Sequence, residues 1–237
     1  MHSIRRVATW EKTPGNWDTL NFQKTFPSNN EYGIPTIANN AVMPSQLVQW
    51  GSRPQLLTVG EGGNAAVHFF LDDYRFESLW RNPLRNLDAL QRIGIVLSPD
   101  FSLFRDMPTA MQIWNVYRNR WLACFWQQYG IQIIPTISWS NPYDFCYAGV
   151  EPGSIVAVSS VGVMQDRSAR RMFRVGFEKM LEVLRPAAIL SYGSLTPLVA
   201  TYTPVVTFPT RWEQRPKVQT RVHTEQLLSL WGEVAHA

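Results

Sequence analysis

The chain has 237 residues, of which 45% are hydrophobic and 17% charged, and its formal net charge is +4. That length can bury one large core as a single domain, and no apolar run approaches the roughly 18 residues needed to cross a bilayer, so no membrane-spanning helix is expected. Residues 1–6 are basic with no apolar stretch behind them, so no signal peptide is expected and the predicted location is cytoplasmic.

Residues 1–66 are predicted to be irregular, because Pro14, Pro27, Pro35, Pro44 and Pro54 interrupt any long element. Trp10, Trp17, Phe22, Phe26 and Tyr32 are too many aromatics for a disordered tail. This segment is therefore expected to wrap the main domain as packed loops with short strands. Glu61-Gly62-Gly63-Asn64 reads as a tight turn, since the G-K-[ST] that would make it a phosphate cradle does not follow.

Residues 67–100 set the rhythm of the core. V-H-F-F-L-D-D is an apolar run ending at Asp72 and Asp73, Leu84, Leu87, Leu90 and Ile93 follow at helical spacing, and I-V-L-S-P-D is a second apolar run ending at Asp100. Apolar strands alternating with helices predict a parallel sheet covered by helices, with its chemistry at the carboxyl ends of the strands.

Pro108 opens a predicted helix over residues 109–129, buried along Ile113, Trp114, Tyr117, Trp121, Leu122 and Phe125 and ended by Gly130. Arg118 and Arg120 fall partly off this stripe and read as solvated. Residues 131–139 form a third core strand in which Pro135 marks a bulge or an N–H that no neighbour requires. Ser138, Trp139, Asn141, Tyr143 and Asp144 then gather at the same rim, as a ligand-binding edge or as a hydrogen-bonded turn. Cys124 and Cys146 lack the paired spacing of a zinc site or a disulfide framework and are expected to be buried free thiols. His2, His68, His223 and His236 are scattered, so neither a metal nor a cofactor is expected.

Residues 154–162 form a fourth strand ending in Ser159, Ser160 and Gly162, small residues that let a ligand approach the backbone. A helix over residues 166–184 follows, apolar along Phe173, Phe177, Met180, Leu181 and Leu184. Its Arg167, Arg170, Arg171 and Arg174 are either a solvated face or contacts to a nucleic-acid backbone. Residues 187–194 form a fifth strand, closing on Tyr192 and Gly193, and residues 205–208 a sixth. Arg211, Arg215, Lys217 and Arg221 make a basic tail before a short amphipathic segment over residues 227–234. The chain thus divides into a wrapping segment (1–66), a core (67–210) and a tail (211–237) within one structural domain. The class predicted is α/β, a TIM-like βα barrel that is complete or short of the full eight repeats. An open doubly wound sheet is disfavoured because no G-x-G-x-x-G turn marks a nucleotide crevice.

Aspartates on neighbouring strand ends can divide roles, one ionised as nucleophile or stabiliser and one with its pKa raised by burial as acid or base. Displacement at an anomeric carbon needs such a pair. Asp72, Asp73 and Asp100 are the candidate catalytic carboxylates, with Phe101, Trp139 and Tyr143 as rings that stack on a base; helix capping or pairing with Arg75 or Arg105 is the other reading. Basic charge with 10 tryptophans suits a nucleic acid, or a solubility bias over an aromatic core.

The motifs L-D-D-Y-R-F, V-L-S-P-D-F-S, I-I-P-T-I-S-W, A-V-S-S-V-G and I-L-S-Y-G, within residues 67–194, resemble those of a family of unknown function found in phages, plasmids and actinobacteria. Their order is also distantly similar to that of the tRNA-guanine transglycosylases and their DNA-modifying relatives, which insert 7-deazaguanine bases. This resemblance implies that Asp72 handles the incoming base and Asp100 recognises it. It makes residues 159–162, with Tyr192 and Gly193, the lining of the base pocket. The nucleophilic aspartate of that group would fall within residues 203–211, where no acidic residue stands before Glu213, and its cysteine-rich zinc site is absent. Either Asp72 or Asp73 has taken over attack, or the chain binds without turnover.

The expected activity is therefore exchange of a guanine in DNA for a free 7-deazaguanine base, in the cytoplasm of a bacterial host, by a protein that touches no membrane and is free to oligomerise. Trp139, Asn141, Tyr143, Asp144, Ser159, Ser160, Gly162, Tyr192 and Gly193 are the expected substrate contacts. The alternatives are a non-catalytic module that binds nucleic acid or protein, and a glycoside hydrolase using the same carboxylates.

Overall fold

The architecture follows from short strands whose alternate side chains point into two different apolar environments. The computed structural model describes residues 24–51, 64–141, 143–163, 166–195 and 201–214. Its strands are β1 (Gln46–Gln49), β2 (Ala65–His68), β3 (Ile95–Leu97), β4 (Gln132–Ile134), β5 (Ile155–Ser159), β6 (Ala188–Tyr192) and β7 (Val205–Phe208). Its longer helices are α1 (Glu77–Arg81), α2 (Leu87–Ile93), α3 (Thr109–Gln127) and α4 (Arg167–Leu184).

All the strand pairings are parallel, in sequence order, giving a four-stranded sheet β1-β2-β3-β4 and a three-stranded sheet β5-β6-β7. One isolated parallel bridge, Thr136 to Ala157, joins them. The fold is mixed α/β with parallel sheets, and among the described residues no ladder pairs β7 with β1 to close a barrel.

Strand side chains of one parity, Ala66, Ile95, Leu97, Ile134, Ala157, Leu190 and Phe208, meet in one cluster drawn from six strands. Those of the other parity face the helices: Val67, Val96 and Ile133 pack with Leu79, Leu90 and Trp126, while Val156, Val158 and Ile189 pack with Phe177 and Met180. Strands buried on both faces must be apolar at every position, which is why they read as continuous hydrophobic runs.

α3 begins behind Pro108 and is followed by Gly130 at φ +79, as its sequence predicts. α4 is capped by the Asp166 carboxylate, which accepts a hydrogen bond from Ala169 N. Among the described residues of the N-terminal segment, Phe26 packs edge-on against Trp121 at 5.5 Å, and Tyr32 against Phe145 at 6.1 Å. The segment also contributes β1, a sheet strand that its proline-rich sequence conceals.

Three sequence expectations are corrected. Leu84 is exposed and precedes α2, whose buried residues are Leu87, Leu90 and Ile93. Arg120 is fully buried, with its guanidinium donating to the carbonyls of Thr136, Cys146 and Ala148 and to Asn119 Oδ1. Arg118 pairs with Glu77 at 2.8 Å and covers the Phe101 ring at 3.9 Å, so it is not simply solvated either. Both cysteines are free and buried, and burial pushes each thiol up to about 12. The glycine turn at 61–63, Trp10, Trp17, Phe22, the tail arginines from Arg215 onward and the 227–234 segment lie outside the described residues. No helix among the described residues is long and apolar enough to cross a membrane.

Candidate active site at the carboxyl rim

A cleft of about 860 Å³ opens at the carboxyl ends of the strands. Gln49, Phe70, Asp100, Trp139, Ser159, Tyr192 and Arg211 bring to its wall the ends of all seven strands or the loops that follow them. Chain that has just left a parallel sheet converges here because every strand points the same way.

Asp100 lies three residues past β3. The residue keeps some surface on the cleft, but its Oδ1 is sealed from solvent and has no hydrogen-bond partner. Burial raises this carboxyl to about 7; a hydrogen bond from Ser138 opposes the shift, the Asp73 charge adds to it, and the Arg120 guanidinium draws it back. A carboxyl so placed carries a proton near neutrality for a sizeable part of the time, and can give or take one.

Asp72 is exposed on the cleft wall. Its neighbour Asp73 is not among the lining residues: its carboxylate accepts the Ser102 N–H at 3.1 and 3.2 Å and the Ser102 hydroxyl at 2.8 Å. Asn115 in turn donates to Ser102 O at 2.8 Å, so Asp73 ties the loop after β2 to the loop after β3 and to α3.

The aromatic walls come from two directions. Trp139 lines the cleft and packs on Phe173 at 5.2 Å, directly over Gly176 of α4. Phe70 and Tyr192 stack at 5.1 Å with 13° between their planes, and His68 lies behind them, 4.6 Å from the Tyr192 ring. His68 Nδ1 accepts the Phe70 N–H, and burial lowers this imidazole to about 4, which keeps it neutral. Tyr192 Oη accepts from Arg211 N at 2.9 Å, which fixes the loop after β7 against the wall.

The remaining expected site residues divide. Ser159 and Gly162 line the cleft, whereas Ser160 and Gly193 are buried against each other behind it. Gly193 has φ +88, and a Cβ there would overlap the Ser160 hydroxyl. Asn141, Tyr143 and Asp144 are not in the wall: Asn141 donates to Tyr143 Oη at 3.4 Å, Tyr143 stacks on Phe145, and Asp144 pairs with Lys179 at 3.8 Å. Arg167, Arg170, Arg171 and Arg174 are exposed along one flank of α4, whereas Ala169, Met172 and Phe173 of the same helix face the cleft. The arginines that do line it, Arg75, Arg105 and Arg211, have no distinguishing pattern in the sequence. Among the described residues, no three His, Cys, Asp or Glu side chains are arranged to hold a metal ion.

Residues 26–209 match a family described as a domain of unknown function, DUF4417. The chain belongs to that family. Its match to DUF4417 spans β1 to β7 and all the strand-end loops that build the cleft as far as Pro209. The chain is also 40% identical over 220 residues to the Gene 1 protein of Mycobacterium phage D29, covering 92% of this chain and 81% of that one. The Gene 1 protein of Mycobacterium phage L5 is 40% identical over 220 residues, covering 92% and 96%. The match to DUF4417 and these phage relatives together bear out the expected likeness to a phage family of unknown function. No solved structure matches the chain.

Proposed function

We propose that the chain is a nucleic-acid base-modifying transglycosylase, exchanging a guanine in DNA for a free 7-deazaguanine base within an incomplete TIM-like barrel. The observation that carries this reading is Asp100, a carboxyl with an unpartnered buried oxygen and a raised pKa in an aromatic cleft at the strand ends. The parallel strands in sequence order, with one side-chain parity meeting in a shared interior, support the barrel.

The target base leaves the stack at a cost of a few kcal/mol and settles between Trp139 and the Phe70–Tyr192 pair. Asp72 attacks the sugar C1′, the bond from C1′ to the guanine nitrogen breaks, and Asp100 gives its proton to the departing base. The incoming base then loses its ring N–H proton to the Asp100 carboxylate, and its nitrogen displaces Asp72 from C1′. One proton leaves Asp100 and one returns, so the site ends as it began. Asp73 is the less suitable nucleophile because Ser102 engages its carboxylate.

The test is mass spectrometry of digested DNA from cells that express the chain and are supplied with a 7-deazaguanine precursor. A modified nucleoside is expected with the parent chain and absent with Asp72→Asn or Asp100→Asn. Nucleoside profiles identical across the folded parent and both folded variants would overturn the reading, leaving a binding module in its place.

A further inference from the structure

Three loops at the cleft mouth each set an exposed aromatic residue beside an exposed arginine. They are Tyr74 with Arg75 after β2, Phe104 with Arg105 after β3, and Arg211 with Trp212 after β7. Tyr74, Phe104 and Trp212 are 79%, 60% and 66% exposed, and all of these residues except Tyr74 line the cleft itself. Large rings held this far into water around one opening are a surface suited to a partner.

The arginines point to which partner. None of the three mouth arginines is seen in an ion pair with another described residue, unlike Arg118 with Glu77 or Lys179 with Asp144. Asp72 and Asp106 share the mouth, so the attraction comes from individual guanidinium forks and not from a broad positive field. A partner that rewards this layout carries separate anions alternating with flat apolar faces.

A nucleic-acid strand with unpaired bases has that chemistry: every base offers a face to a ring, and every phosphate an acceptor pair to a guanidinium. In a duplex the base faces are occupied by their neighbours, and only the phosphates remain for such a mouth to hold. We infer that the three aromatic–arginine pairs grip a single-stranded or locally unpaired stretch of DNA on either side of the nucleotide in the cleft. The choice of DNA rests on the base-exchange reading above, but the grip is a binding property and is measured without turnover.

The experiment is fluorescence anisotropy of the full chain with a labelled DNA strand of about 12 nucleotides, within the usual range of single-strand site sizes. The same sequence as a duplex is the second probe, and both are titrated over a salt series. The single strand should bind at least about tenfold more tightly than the duplex, an effect that the stacking of one or two bases supplies. Phe104→Ala and Tyr74→Ser should each weaken single-strand binding about fivefold or more and leave duplex binding unchanged. Arg75→Ala and Arg105→Ala should each lower the single-strand salt slope by about 0.7. All four substitutions are at exposed positions, and an unchanged unfolding midpoint verifies that each variant is folded. Equal affinity for the two probes, or full single-strand affinity in both ring variants, would overturn the inference. Base exchange on intact duplex without a single-strand preference would sink this inference and leave the base-exchange reading standing. Tight single-strand binding with unaltered nucleosides would do the reverse.

Discussion

Asp100 is a carboxyl whose charge the fold opposes, and this gives it a signature in stability. The unfolded chain ionises it near the ordinary value of 3.8, while the folded chain holds its proton up to about 7. Between those values the folded state binds more protons, so this group makes stability fall as pH rises through the window and adds no slope above it. Asp100→Asn stays neutral throughout. Urea unfolding should find it close to the parent near pH 4 and more stable at pH 8, by on the order of 1–3 kcal/mol. Equal differences between the two chains at both pH values would refute this. His68 adds the opposite slope, since its neutral form contributes fully above 6.5 and is lost as pH falls toward 4, but both chains share it. At this scale the sequence was only partly legible. Asp100 stands out as a polar residue closing an apolar run, but nothing near Asp73 reveals a carboxylate tied to Ser102, 29 residues away. Arg120 is misread for the same reason, because the carbonyls that satisfy its guanidinium come from Thr136, Cys146 and Ala148, all outside its own helix.

At the scale of elements, the packing of α4 on Trp139 reverses an ordinary helix rule. Glycine inside a helix is less favourable than alanine by about 1 kcal/mol, so Gly176→Ala would stabilise α4 in isolation. Here the added Cβ would overlap the Trp139 indole, and overpacking costs about 1–3 kcal/mol, so the sign turns. Gly176→Ala should therefore destabilise the parent chain but be neutral or stabilising in a Trp139→Ala background. A double-mutant cycle by urea unfolding checks this, and additive effects would contradict it. The long helices and β2 to β6 are legible because their apolar positions keep a clear spacing or run unbroken. β1 is not, since its sequence is Gln-Leu-Val-Gln, only Val48 is buried, and prolines stand on both sides of it. The cleft's aromatic wall is half legible: Trp139 stands beside a proline-marked strand end, while the Phe70–Tyr192 stack depends on β2 and β6 meeting across the interior.

For the whole molecule, strand direction is what places chemistry from distant parts of the chain around one opening. It also makes the two sheets share that opening while sharing almost no hydrogen bonds. Ala157 N donates to Pro135 O at 2.8 Å, and Ile137 N donates to Ala157 O at 2.8 Å. The N–H and C=O of one strand residue point to the same side, so the N–H that Pro135 lacks is one that would have faced β5. The proline therefore leaves the two sheets as two leaves on a narrow spine, with the cleft lying across their carboxyl ends. Spines of this kind flex first, so in native-state hydrogen exchange the amides of Ile137 and Ala157 should exchange faster than Val158 and Leu190 within the β5–β6 ladder. A ligand spanning both leaves should slow the first pair and leave the second unchanged, whereas uniform protection of all four amides would mean that the covers do not move.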